Sequence, residues 1–172
     1  MTLPEYLDMR RLAEQEALFV GSVPVRKMRR LAPGLASEQG DVHAEIQFGL
    51  DPVRRPTIRG RAEAALILEC QRCLETYSRP IDVGFSLVLV QSEAEAEHLS
   101  SEFEPLLTDQ EQIRTAELIE DELMLALPIV AMHATEDCNV RLDRDPAADD
   151  ETAEQRKKNP FAALKALKRK QD

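Results

Sequence analysis

The chain has 172 residues, 43% of them apolar and 31% charged, with a formal net charge of −10. That is the size of one domain with tails. The aromatic share of 4%, with no tryptophan, leaves few stacking platforms, and the overall acidity gives RNA no general field to follow. The N-terminus lacks the basic and apolar pattern of a secretory signal, and the longest apolar run, Leu123 to Met132, is interrupted by Pro128 and too short to span a bilayer. Three cysteines cannot close a disulfide framework, and two of them form a Cys-x-x-Cys, so reduced thiols in a cytoplasm are expected.

In chain order, Leu7 to Ala17 reads as a helix with Asp8 as its N-cap, and Ala17 to Val23 as a short strand. Pro24 opens a second short helix ending near Pro33 and Gly34, which carries Arg26, Lys27, Arg29 and Arg30. From Val42 the period changes to two. Val42, Ala44, Ile46 and Phe48 share one face, and Asp51-Pro52 breaks the strand. A second strand runs from Ile58 to Glu69 and a third through Ile81, Val83, Phe85, Leu87 and Leu89. The three form an antiparallel meander. Residues 91–103 are rich in Glu and read equally well as a short exposed helix or an irregular lobe.

Thr108-Asp109-Gln110-Glu111 fits a capping box for a helix whose stripe is Ile113, Ala116, Ile119, Leu123 and Leu127, closed by Pro128. Glu120 falls beside that stripe, where a carboxylate ordinarily sits at the margin and reaches water. Residues 139–158 read as a polar, acidic linker. Asn159-Pro160 then signals a short tail helix, with Phe161, Leu164 and Leu167 on one side and Lys165, Lys168, Arg169 and Lys170 around it. So short a helix needs a partner, which its own domain, RNA or an assembly protein, or a membrane surface could each supply. The expected organisation is a single α+β domain over 1–138, least defined over 1–40, then the linker, then a basic amphipathic helix over 159–172.

Charge is unevenly spread. Residues 1–80 carry twelve basic and eleven acidic side chains, 81–155 three and twenty, and 156–172 seven and one. The acidic block is either an ordinary solvated surface or a face for basic proteins. No nucleophile elbow, phosphate-binding loop or dinucleotide fingerprint occurs. His43 and His98 stand in polar surroundings, and the many carboxylate pairs carry no signal in so acidic a chain. No catalytic residue is assigned.

The main chemical feature is the pair Cys70 and Cys73 in the turn between two strands, with His133 and Cys138 downstream. Together they could supply the four nitrogen and sulfur ligands of a closed structural zinc site. Two small thiols beside an ordinary loop histidine are the other main reading. A redox pair is a third, disfavoured because the motif sits in a hairpin and not in a βαβ unit.

Three segments carry a resemblance. They are Leu68-Glu69-Cys70-Gln71-Arg72-Cys73, then Glu120-Asp121-Glu122-Leu123-Met124-Leu125-Ala126-Leu127-Pro128, and Asn159-Pro160-Phe161-Ala162-Ala163-Leu164 through Leu167-Lys168-Arg169-Lys170. In this order they resemble the YceD family of bacterial proteins, linked to accumulation of 23S ribosomal RNA. The resemblance implies a non-enzymatic factor in large-subunit biogenesis, with the rRNA precursor or an assembly intermediate as partner and no small-molecule substrate. It also implies metal binding through a second cysteine pair, in whose place this chain has His133 and Cys138. The expected contacts with RNA or a partner are Arg26, Lys27, Arg29 and Arg30, with the tail residues Phe161, Leu164, Lys165, Leu167, Lys168, Arg169 and Lys170. A chaperone-like adapter for a basic ribosomal protein is the alternative.

Overall fold

The long alternating runs give the fold its frame. In a computed structural model that describes residues 2–110, 112–134 and 138, they become β3 (Asp41–Leu50), β4 (Pro56–Glu69) and β5 (Thr76–Val90). With β2 (Leu18–Pro24) they form the expected antiparallel meander. One further strand, β6 (Glu104–Leu107), joins β5 in parallel and completes a five-stranded sheet of order β2-β3-β4-β5-β6. The architecture is α+β.

Period-two alternation sends Val42, Ala44, Ile46 and Phe48 of β3 to one face, together with Ile58, Ala62 and Leu66 of β4 and Ile81, Phe85 and Leu87 of β5. α1 (Met9–Glu14) packs over β3 and β4, and α3 (Thr115–Ala126) over β4 and β5. They add Met9, Ala116, Leu118, Ile119 and Leu123 to the core. Val88 and Val90 are also fully buried, and alternation puts them on the opposite face; the short α2 (Glu93–Ala96) follows and lies near β5 and β6.

Several local expectations are borne out. Asp8 caps α1, its carboxylate accepting from the Arg11 amide at 3.1 Å. α3 ends at Ala126 with Leu127 extended, as a residue before Pro128 must be. The Cys70–Glu75 turn joins β4 to β5 directly.

Other expectations are corrected. The first helix is shorter than 7–17, because residues before Met9 form β1 (Tyr6–Asp8), which pairs antiparallel with β7 (Gln112–Arg114) and buries Leu7 fully. That pairing also removes the capping box. Thr108 Oγ1 accepts from the Gln110 amide in a local turn, and α3 begins seven residues later with no side-chain cap. Residues 24–34 make two separate 3-10 turns, Val25–Lys27 and Ala32–Gly34, and no continuous helix. Residues 91–103 do hold a short exposed helix, the four-residue α2, as one of the two readings expected, whereas β6 had no signal in the periodicity. The linker and the tail helix lie outside the described residues.

One glycine is required by packing. Gly60 of β4 stands opposite Phe85 of β5, whose ring lies across the Gly60 backbone, so a Cβ there would fall inside contact of three ring carbons. Replacing Gly60 with Ala is expected to displace Phe85 and cost about 1–3 kcal/mol, the usual penalty for overpacking a core. A thermal melt checks this; an unchanged Tm would show that the ring moves freely.

Candidate functional site

Two constellations stand out, one sulfur-rich and one cationic. The first is built on the β4–β5 turn. The Cys70 amide donates to the Glu75 carbonyl at 2.9 Å and the Leu74 amide to the Cys70 carbonyl at 2.8 Å, with Leu74 in the left-handed region at φ 64°. This tight turn sets Cys70 and Cys73 side by side. The segment after α3 is brought to the same place by its own bonds. The Gln71 amide donates to the Ala131 carbonyl at 2.8 Å, and Arg72 Nη2 to the His133 carbonyl at 3.3 Å.

The outcome is a cluster of Cys70, Cys73, His133 and Cys138 whose ligand atoms all lie within 4.8 Å of one another. His133 Nε2 sits 3.0 Å from Cys73 Sγ, and Arg72 Nε donates to Cys138 Sγ at 2.9 Å. His133 Nδ1 lies 3.1 Å from the Ala134 carbonyl. A carbonyl can only accept, so Nδ1 carries a proton, and Nε2 is the ring nitrogen that faces the cluster. The Tyr77 ring meets the imidazole edge-to-face at 5.5 Å.

The thiols are electrostatically unequal. Burial by itself would push the Cys70 thiol up, but backbone N–H groups of Cys73, Arg72 and His133 outweigh it and bring the thiol down to about 6. Burial raises Cys73, helped by its sulfur neighbours Cys70 and Cys138, to about 11. A thiolate at Cys70, stabilised by peptide N–H groups, is the form a metal takes. Three sulfurs and one imidazole at these spacings can hold a metal ion, with no position left over among the four for water. All four sequence-picked candidates are therefore together in space.

The second constellation runs through the first 3-10 turn and the loop that joins it to the second. Arg26, Lys27 and Arg29 are exposed on it. Arg30 is engaged. Its Nε donates to Glu120 Oε2 at 3.2 Å and its Nη2 pairs with Asp121 at 2.6 Å. Glu120 does not reach water as its position beside the apolar stripe suggested. Its residue is 2% exposed, and Oε1 accepts from the backbone amides of Arg30 at 2.6 Å and Leu31 at 2.9 Å. Those amides open a single turn closed by the Ala32 amide donating to the Met28 carbonyl at 2.9 Å, so like the first amides of a helix they have no upstream carbonyl, and a carboxylate from α3 supplies the acceptor. The sequence signal was only an acid beside an apolar stripe; the loop that it meets ninety residues away gave none. The remaining sequence-picked contacts, Phe161, Leu164, Lys165, Leu167, Lys168, Arg169 and Lys170, lie outside the described residues.

Truncating Glu120 to Ala would orphan two amides, at about 1–3 kcal/mol each, and release Arg30. Glu120→Gln keeps Oε1 but turns an N–H donor toward Arg30 Nε, so a smaller loss is expected. Chemical denaturation should rank the variants in that order; equal stability of all three proteins would remove the latch.

Among the described residues no helix is long and apolar enough to cross a membrane. The profile of the family described as large ribosomal RNA subunit accumulation protein YceD matches residues 58–168. A Haemophilus influenzae protein named large ribosomal RNA subunit accumulation protein YceD is 32% identical over 171 residues, which is 98% of this chain and 97% of that relative. No solved structure matches significantly. The match spans both the cysteine turn and the Glu120 helix, and the chain belongs to the YceD family.

Proposed function

We propose that this chain is a cytoplasmic, non-enzymatic binding factor that supports the accumulation of 23S rRNA during assembly of the large ribosomal subunit. The observation that carries the reading is the near full-length likeness to a relative named for that process. The cationic loop supports direct contact with the rRNA precursor. Arg26, Lys27 and Arg29 are exposed just before the Arg30 and Leu31 amides that Glu120 holds, so a phosphate backbone would meet free cationic side chains on a stretch anchored at its end. Arg30 contributes less charge outward, since Glu120 and Asp121 offset it. The tail residues 156–172, seven basic to one acidic, add the second contact.

The ion for the sulfur cluster is zinc, held by Cys70, Cys73, His133 and Cys138 in a closed structural site. When bound it would supply cross-linking and no reaction chemistry. Three thiolates around a divalent ion leave one negative charge in excess, and Arg72, donating to Cys138 Sγ and to the His133 carbonyl, offsets it. The ion would thereby fasten the β4–β5 turn to the segment that follows α3.

A second reading is favoured by the surface carrying Glu93, Glu95, Glu97, Glu102 and Glu104, all exposed. On that reading the chain is an adapter that shields a basic ribosomal protein and never touches RNA. Crosslinking in growing cells separates the two. Adducts of rRNA at the loop and tail are expected; protein adducts alone, at the acidic surface, would overturn the first reading.

Deletion of 156–172 is expected to lower 23S rRNA while the remaining chain stays folded, and unchanged rRNA levels would reject the tail as a contact. Purified under reducing conditions, the protein should carry about one zinc per chain, and chelation should lower its Tm. A mere trace of metal would end the zinc assignment.

A further inference from the structure

A cleft of about 460 Å³ opens where the β3–β4 loop meets the lobe after α2, lined among others by Gln47, Arg59, Ser100, Glu102 and Phe103. Its volume falls in the range in which proteins hold small ligands. One wall is prebuilt. Asp51 accepts from the Val53 amide at 3.0 Å and the Arg55 amide at 2.7 Å, and its other oxygen takes Arg55 Nε at 2.7 Å. The two charges of this loop therefore satisfy each other.

Arg59 is different. Among the described residues it forms no ion pair. Its guanidinium carbon instead sits 5.3 Å from the centroid of the Phe103 ring, within cation–π range. Strand register puts Gln47 directly across from Arg59 on β3. A planar cation backed by an aromatic ring thus stands beside an amide, a hydroxyl and a carboxylate.

That combination fits an unpaired nucleotide better than a bare anion or a basic peptide. A bare anion would meet Glu102 in the wall, and a basic peptide would meet Arg59. A base can stack on the open side of a guanidinium and offer both donors and acceptors at its edge. Bases within a duplex are already stacked and paired and cannot enter.

We propose that this cleft holds one unpaired nucleotide of RNA, its base stacked on the Arg59 guanidinium that Phe103 supports, with Gln47 and Glu102 against the base edge. The proposal rests on the RNA-binding reading above and adds a site on the opposite end of the sheet strands from the cationic loop.

The test uses the full chain and a short fluorescein-labelled single-stranded RNA of mixed sequence, with a duplex of the same sequence as comparison, read by fluorescence anisotropy. Arg59→Lys keeps the charge and loses the plane, and Phe103→Leu keeps apolar bulk and loses the ring. Each is expected to weaken single-strand binding about tenfold, the scale of one lost base stack, and to leave duplex binding alone. A triple variant of Arg26, Lys27 and Arg29 to Gln should weaken both RNAs.

If the triple variant weakens binding while the cleft variants stay within about twofold of the parent, the cleft proposal is overturned and the RNA reading stands. If the parent chain binds neither RNA, or only a basic protein, both fall. An equal loss of duplex binding in the cleft variants would also overturn base insertion. Photocrosslinking of the unaltered chain to 4-thiouridine RNA gives a readout that needs no variant to fold. Adducts on the peptide containing Phe103 support the site, and their absence while adducts form on the loop overturns it.

Discussion

A single carboxylate, Glu120, links the parts of this molecule that do not otherwise belong together. It leaves α3 within the apolar stripe, is 2% exposed, and receives two backbone amides and a guanidinium from residues 30–31. Burying a charge is costly unless every lone pair is used, and here the geometry uses both oxygens. The loop that carries Arg26, Lys27 and Arg29 is thereby tied to the helix, and that helix leads directly to the segment bearing His133. Cationic loop, helix and sulfur cluster are consecutive links in one chain of contacts.

Most of the sheet could be read from the residues alone. Val42 to Phe48 and Ile58 to Leu68 alternate over enough positions for the period of two to stand out, and β5 follows the same rule on its core side. The same rule failed for β1, β6 and β7. Strands of three or four residues contain too few alternations to show a period, and their existence depends on partners far away in sequence. The Thr108 signal misled because a capping box is a local pattern, and the distant pairing of Leu7 with Ile113 decided the matter.

The candidate site divides along the same line. Cys70 and Cys73 announce themselves because both ligands come from one turn, and His133 and Cys138 follow from counting what zinc would still lack. Glu120 reads in the sequence as an ordinary carboxylate at the stripe's margin, because its partner lies ninety residues away and no spacing rule reaches that far. Arg59 and Phe103 gave no signal at all. They meet because the chain reverses after β5 and returns through α2, which composition does not show.

The sulfur cluster draws two ligands from a hairpin turn and two, His133 and Cys138, from beyond α3, where the Gln71–Ala131 and Arg72–His133 bonds hold the chain to the turn. An ion seated there would leave by unequal steps. The half after α3 can peel away at the cost of three hydrogen bonds, the third from Arg72 to Cys138 Sγ, while the hairpin half comes apart only with the β4–β5 ladder. Exchange of the ion would then follow local opening and proceed far faster than global unfolding, with Cys70 and Cys73 remaining as a preformed half-site that recaptures metal before the rest of the molecule loosens.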